Sequence, residues 1–102
     1  MKYKIYKLTE TKVPDEYDGV LIGVEFGEAI YDAVPSIHRV IRAELSEDQQ
    51  YTRCKINVFS PQRIHSEDGQ QRYEIDAVAM PLYQAPQNMV LQFGIIEEAV
   101  SA

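Results

Sequence analysis

A chain of 102 residues with 45% hydrophobic and 25% charged side chains has the composition of one globular domain, residues 1–102, able to bury a core without staples. The single cysteine, Cys54, excludes an intramolecular disulfide, and a net charge of −6 argues against duplex nucleic acid, whose phosphates are held by Lys and Arg. No apolar run approaches the roughly 18 residues of a membrane span, and MKYKIYKLTETK lacks the apolar stretch of a secretion signal, so the expected location is the cytoplasm.

Residues 2–8, KYKIYKL, alternate as a strand, with Tyr3 and Ile5 on one face and Lys4, Tyr6 and Leu8 on the other. The lysines suit an edge strand, where charge discourages pairing with a second molecule. TETKVPDEYD, residues 9–18, carries Pro14 and four acids and reads as a loop. Asp18-Gly19 then marks a turn into VLIGVEF, a strand with Val20, Ile22, Val24 and Phe26 expected on one face and Leu21, Gly23 and Glu25 on the other.

In GEAIYDAVPSIHRVIRAELSEDQQ, residues Ile30, Val34, Ile37, Ile41 and Leu45 recur at helical spacing, with Ala33 and Val40 in the same stripe. Pro35 lacks a backbone N–H and disfavours helical dihedrals at Val34. A proline inside a helix costs about 3 kcal/mol, whereas in the first turn it costs almost nothing. The sequence therefore predicts a short helical turn near 28–33 and a second helix from Pro35 to about Leu45. The alternative takes Ile37, Arg39, Ile41, Ala43 and Leu45 as an alternating strand and makes the fold a small all-β sandwich or barrel.

The remainder reads as β-structure. YTRCKINVF places Thr52, Cys54, Ile56 and Val58 on one face and Arg53, Lys55 and Asn57 on the other, and Pro61 ends or bends the strand. Asp68-Gly69 is a strong hairpin signal; with a two-residue turn it pairs Ile64 with Tyr73 and Arg63 with Glu74. RYEIDAVAM turns Tyr73, Ile75, Ala77 and Ala79 inward, and NMVLQFGII offers Met89, Leu91, Phe93 and Ile95 on one face. The order β-β-α-β-β-β with short connections predicts an α+β domain, an antiparallel sheet of about five strands with one helix packed on one face.

Catalytic and metal-binding signatures are sparse. His38 and His65 have no companion ligands at metal spacing, and HSEDG fails the calcium-loop pattern, so no cofactor is expected. Cys54 sits among Ile and Val on the apolar face of its strand, the setting of an inert core cysteine. No Ser/His/Asp arrangement, nucleophile elbow or glycine-rich phosphate loop is present. Glu74 and Asp76 share a strand face about 7 Å apart, but Arg53, Lys55 and Arg63 on the next strand's outer face account for them as cross-strand ion pairs.

What remains is a surface. Seven tyrosines without tryptophan, and acids clustered at loops and element ends, fit a face that binds another protein. The candidate partner-binding residues are Tyr17, Tyr31, Tyr51 and Tyr83 with Asp15, Glu16, Asp18, Glu47 and Asp48. The leading expectation is a non-enzymatic protein-binding module, an acidic inhibitor, immunity or anti-defence factor acting on a basic partner surface. Two rivals stand beside it. One is a small-ligand or catalytic domain with a pocket between helix and sheet, served by Tyr31, His38 or Arg42. The other is a structural subunit of a homo-oligomer joined through residues 2–8 or the C-terminal strand.

Overall fold

The helical stripe governs the architecture. A computed structural model, which describes residues 1–8, 19–64, 69–82 and 88–100, shows one continuous helix α1 over Ile30–Ser46. Ile30, Ala33, Ile37, Ile41 and Leu45 are buried along it, as the spacing predicts. The break expected at Pro35 is absent, and the chain is not extended there. Pro35 forfeits a bond to the Tyr31 carbonyl, but both residues stand on the exposed side, where water can reach that oxygen. Carrying the helix back through Pro35 buries Ile30 and Ala33, and burial worth about 1.5–3 kcal/mol for an isoleucine offsets much of the proline's cost. The first turn is further held by the Asp32 carboxylate, which accepts the Ala29 N–H at 3.1 Å.

Six strands complete the fold: β1 Lys2–Leu8, β2 Gly19–Phe26, β3 Cys54–Val58, β4 Gln62–Ile64, β5 Arg72–Pro81 and β6 Met89–Glu98. All their pairings are antiparallel, in the order β2-β1-β6-β5-β3, with β4 also on β5. This is the expected α+β domain with a helix on one face. The helix touches β2, β1 and β3. On a flat sheet β2 and β3 would lie about 19 Å apart, farther than a helix about 10–12 Å wide can bridge, so the sheet curls around α1. The core lies in that trough, where Tyr3, Ile5, Ile75, Ala77, Phe93 and Ile95 meet the helix stripe.

Four expectations need correction. First, β1 is not an edge; it lies between β2 and β6, and Lys2 and Lys4 mark the face turned away from the helix, where Lys4 Nζ pairs with Glu98 Oε1 at 3.0 Å. The C-terminal strand β6 is likewise internal, leaving β2 on one side and β3 with β4 on the other as the edges. Second, the apolar face expected on β2 is split. The register slips at Ile22, with Ile5 opposite Gly23 and Tyr6 opposite Leu21. Ile22 packs on the core, whereas Val24 pairs with Lys4 on the open face. Gly23 is what permits this arrangement, because a Cβ there would stand 2.8 Å from Val40 Cγ1.

Third, Tyr51–Arg53 is not strand. A short 3₁₀ helix, Gln49–Tyr51, is capped by the Asp48 carboxylate, which accepts the Gln50 N–H at 2.9 Å, and β3 begins at Cys54. Fourth, the hairpin register is one residue away from the expected one. Arg63 faces Tyr73, and Ile64 faces Arg72, whereas Asp68 of the expected turn lies outside the described residues. Gly69 takes φ +77°, the left-handed conformation favoured by glycine.

Candidate functional site

The register change creates the most distinctive surface on the molecule. β3 and β4 are two pieces of one edge strand running along β5. Phe59 N–H donates to the Asp76 carbonyl at 2.9 Å, and the next matched pair is Gln62 with Glu74. Two residues, Ser60 and Pro61, therefore stand opposite the single Ile75, which makes the interruption a β-bulge. Pro61 is buried there, at a position where its missing N–H breaks no ladder rung.

The bulge opens a cavity on the face opposite the helix. Its volume is about 390 Å³, and it is lined by Phe59, Ser60, Gln62, Glu74, Asp76, Val78 and Val90. That size lies within the range of small-ligand and side-chain pockets. Glu74 and Asp76 enter from alternate positions of β5, about 7 Å apart. Phe59 contributes an exposed aromatic ring, and Val78 and Val90 a pair of apolar walls. One carboxylate oxygen, Glu74 Oε1, is shielded from water.

The three bases expected beside these carboxylates lie elsewhere. Arg63 is matched with Tyr73 and so belongs to the other face, and Lys55 is matched with Met80, about 14 Å along the strand from Asp76. Arg53 lies in the turn before β3, where its carbonyl accepts the Leu82 N–H. Asp76 has no ion pair among the described residues. The pocket thus gathers two acids and an aromatic ring with none of the three bases that the sequence had assigned to them.

Helix α1 braces the bulge from the other layer. His38 Nε2–H donates to the Phe59 carbonyl at 3.1 Å, which places the ring proton on that nitrogen. One turn later, Arg42 Nη1 donates to the Ile56 carbonyl at 2.8 Å. The side chain of Arg42 also borders a second cavity of about 390 Å³ with Leu45, Ser46, Tyr51, Thr52, Cys54 and Ile56. Burial, and then the nearby Asp48 carboxylate, push the Tyr51 phenol above its ordinary pKa. Cys54 is a half-buried free thiol.

The residues singled out from sequence scatter over the fold. Tyr31 stands exposed on the first turn of α1. Glu47 and Asp48 lie past the other end of the helix, about 25 Å away, and Tyr51 follows them at the second cavity. Asp48 is engaged as a helix cap and approaches Lys7 Nζ at 3.8 Å. Tyr17, Tyr83, Asp15, Glu16 and Asp18 lie outside the described residues. Phe59, Ser60 and Gln62 were absent from that selection. Pro61 within a β-run was the available signal, because proline inside a sheet marks a bulge or an edge.

Among the described residues, no group of three His, Cys, Asp or Glu side chains is placed to hold a metal ion, and no helix is long and apolar enough to cross a membrane. No protein-family model matches the chain, and neither a curated protein nor a solved structure matches it.

Proposed function

We propose that the protein is a non-enzymatic protein-binding module that accepts a lysine or arginine side chain from a basic partner into the open-face pocket. The observation that carries this reading is the pairing of Glu74 and Asp76 with Phe59 in one apolar-walled cavity. A cation entering it meets the exposed Asp76 carboxylate and an aromatic face, with the charge of Glu74 close by, and charge-assisted hydrogen bonding and cation–π attraction act together there. The aliphatic stem of Lys or Arg suits Val78 and Val90. A net charge of −6 speeds the approach of a basic surface. If the basic side chain belongs to the partner's own working site, binding inhibits it, as an inhibitor or immunity factor would.

The test needs no knowledge of the natural partner. A short arginine-containing peptide is titrated into isotopically labelled protein while backbone amides are followed by NMR. The reading expects shifts concentrated at Phe59, Ser60, Gln62, Glu74, Asp76, Val78 and Val90. It also expects Asp76→Asn to weaken binding about tenfold, the scale of one hydrogen bond to a charged group. Shifts spread evenly over all acidic surfaces, or unchanged affinity in Asp76→Asn, would sink it.

The second cavity supports the rival reading of a small-ligand site between helix and sheet, because Arg42 borders it as that reading requires. A thermal shift with a carboxylate-bearing metabolite that vanishes in Arg42→Ala favours this rival.

A further inference from the structure

The sheet has two edges, and they differ in kind. Along β3 the outward-pointing backbone groups belong to Cys54, Ile56 and Val58, since Phe59 bonds inward to Asp76 and the ladder alternates. That edge is covered by Arg42 on the Ile56 carbonyl, and His38 holds the carbonyl of Phe59 just beyond it. Along β2 the phase is set by Gly27, whose N–H donates to the Met1 carbonyl at 3.2 Å. Glu25 and Gly23 therefore bond to β1, and Val24 and Phe26 aim their backbone groups outward. No described residue covers them.

The β2 edge is also apolar. GVLIGVEF contains one charge and neither lysine nor proline, the usual devices against edge pairing. Val20 and Phe26 are each 62% exposed, Leu21 is 49% exposed, and Tyr31 on the adjoining helical turn is 74% exposed. With aromatic side chains carrying 150–250 Å² each, these four residues offer about 500 Å² per copy. Two copies bury about 1,000 Å², the lower bound of a specific interface.

We infer that β2 is the interface of a reversible homodimer, in which two copies join their sheets antiparallel across a two-fold axis. The occupant is a second copy because the strand matches itself. A two-fold axis between Ile22 and Gly23 sets Glu25 of each copy opposite Val20 of the other, so the strand's one charge never meets its like. A nearly neutral edge gives no electrostatic preference for a basic or acidic foreign strand. Association stops at two, because a heterologous chain would need β3 to receive β2, and α1 already covers β3.

Light scattering over a concentration series from about 1 μM to 1 mM tests the inference. The mass is expected to climb from the 11.7 kDa of one chain to a plateau at twice that value. Added salt should strengthen the dimer, because it screens repulsion between two chains of net charge −6 while leaving apolar contact intact. Peptide binding in the acidic pocket should weaken with salt, so failure of one reading is distinguishable from failure of the other. Val24→Pro removes an outward N–H without touching the β1 ladder and should hold the mass at one chain wherever wild type is dimeric. Leu21→Lys, at an exposed position, serves as the second variant and should do the same. A wild-type mass fixed at one chain to 1 mM overturns the inference. So does growth past two chains, or a dimer unaffected by Leu21→Lys.

Discussion

His38 Nε2 lies 3.1 Å from the carbonyl oxygen of Phe59, so a side chain on the helix holds the point at which the edge strand bulges on the far side of the sheet. The contact fixes where the Phe59 backbone sits, and with it the aromatic wall of the acidic pocket. His38→Ala is expected to cost about 0.5–1.5 kcal/mol. Amide exchange should rise at Phe59 while Ile5 and Phe93, in the sheet centre, keep their protection. Unchanged exchange at Phe59 would show that the bulge stands without the histidine.

Pro35 predicts a stabilising substitution. Pro35→Ala restores the N–H that can bond the Tyr31 carbonyl, at an exposed position with no packing to lose. The helix gains up to about 3 kcal/mol, less about 0.4–1 kcal/mol for the freer unfolded chain. The midpoint of thermal unfolding should rise by several degrees in a calorimetric scan.

Gly23 and Val40 form a coupled pair. Gly23→Ala brings a methyl within 2.8 Å of Val40 Cγ1, and such overpacking costs about 1–3 kcal/mol. Trimming the neighbour in Gly23→Ala/Val40→Ala should return part of that loss. Urea unfolding of the two singles and the double is then expected to show clear non-additivity.

Alkaline pH should unfold the protein through Tyr3. Burial, and then its hydrogen bond to Glu97 Oε1 at 2.9 Å, raise the Tyr3 phenol above its ordinary value near 10. Because the folded pKa is the higher one, the stabilising contribution is complete below pH 10. It is lost as pH rises from there towards the folded pKa, by about 1.4 kcal/mol per pH unit. Stability measured from pH 8 to 12 should fall less steeply in Tyr3→Phe than in wild type.

How much of this was legible in the sequence depended on what each signal physically encodes. The inward row Tyr73, Ile75, Ala77 and Ala79 and the helical stripe through Ile37, Ile41 and Leu45 were readable because burial imposes a period. The place of β1 in the sheet was not, since alternating lysines satisfy a solvated face and an edge equally well. Pro35 misled because a local penalty was judged without the tertiary burial of Ile30 and Ala33 that offsets it. The pocket was hidden by a single residue of register. A two-residue turn at Asp68-Gly69 set Arg63 beside Glu74, and the bulge at Ser60 and Pro61 moved it to the other face.

The central place of β1 also sets the order in which the molecule can be completed. Tyr3 bonds to Glu97, which is 94 residues later in the chain, and β1 pairs with β6 along its length. At ordinary synthesis rates the partner strand emerges on the order of 5–20 s after β1. In the run β3 to β6, β3 and β4 both pair with β5, and β5 with β6, so this part can pair as soon as it is made, at small loop-closure cost. The N-terminal hairpin must then dock as a finished unit onto β6, and until it does both sides of that hairpin lie open. Closing the sheet therefore waits on β6, the last of these six strands in chain order.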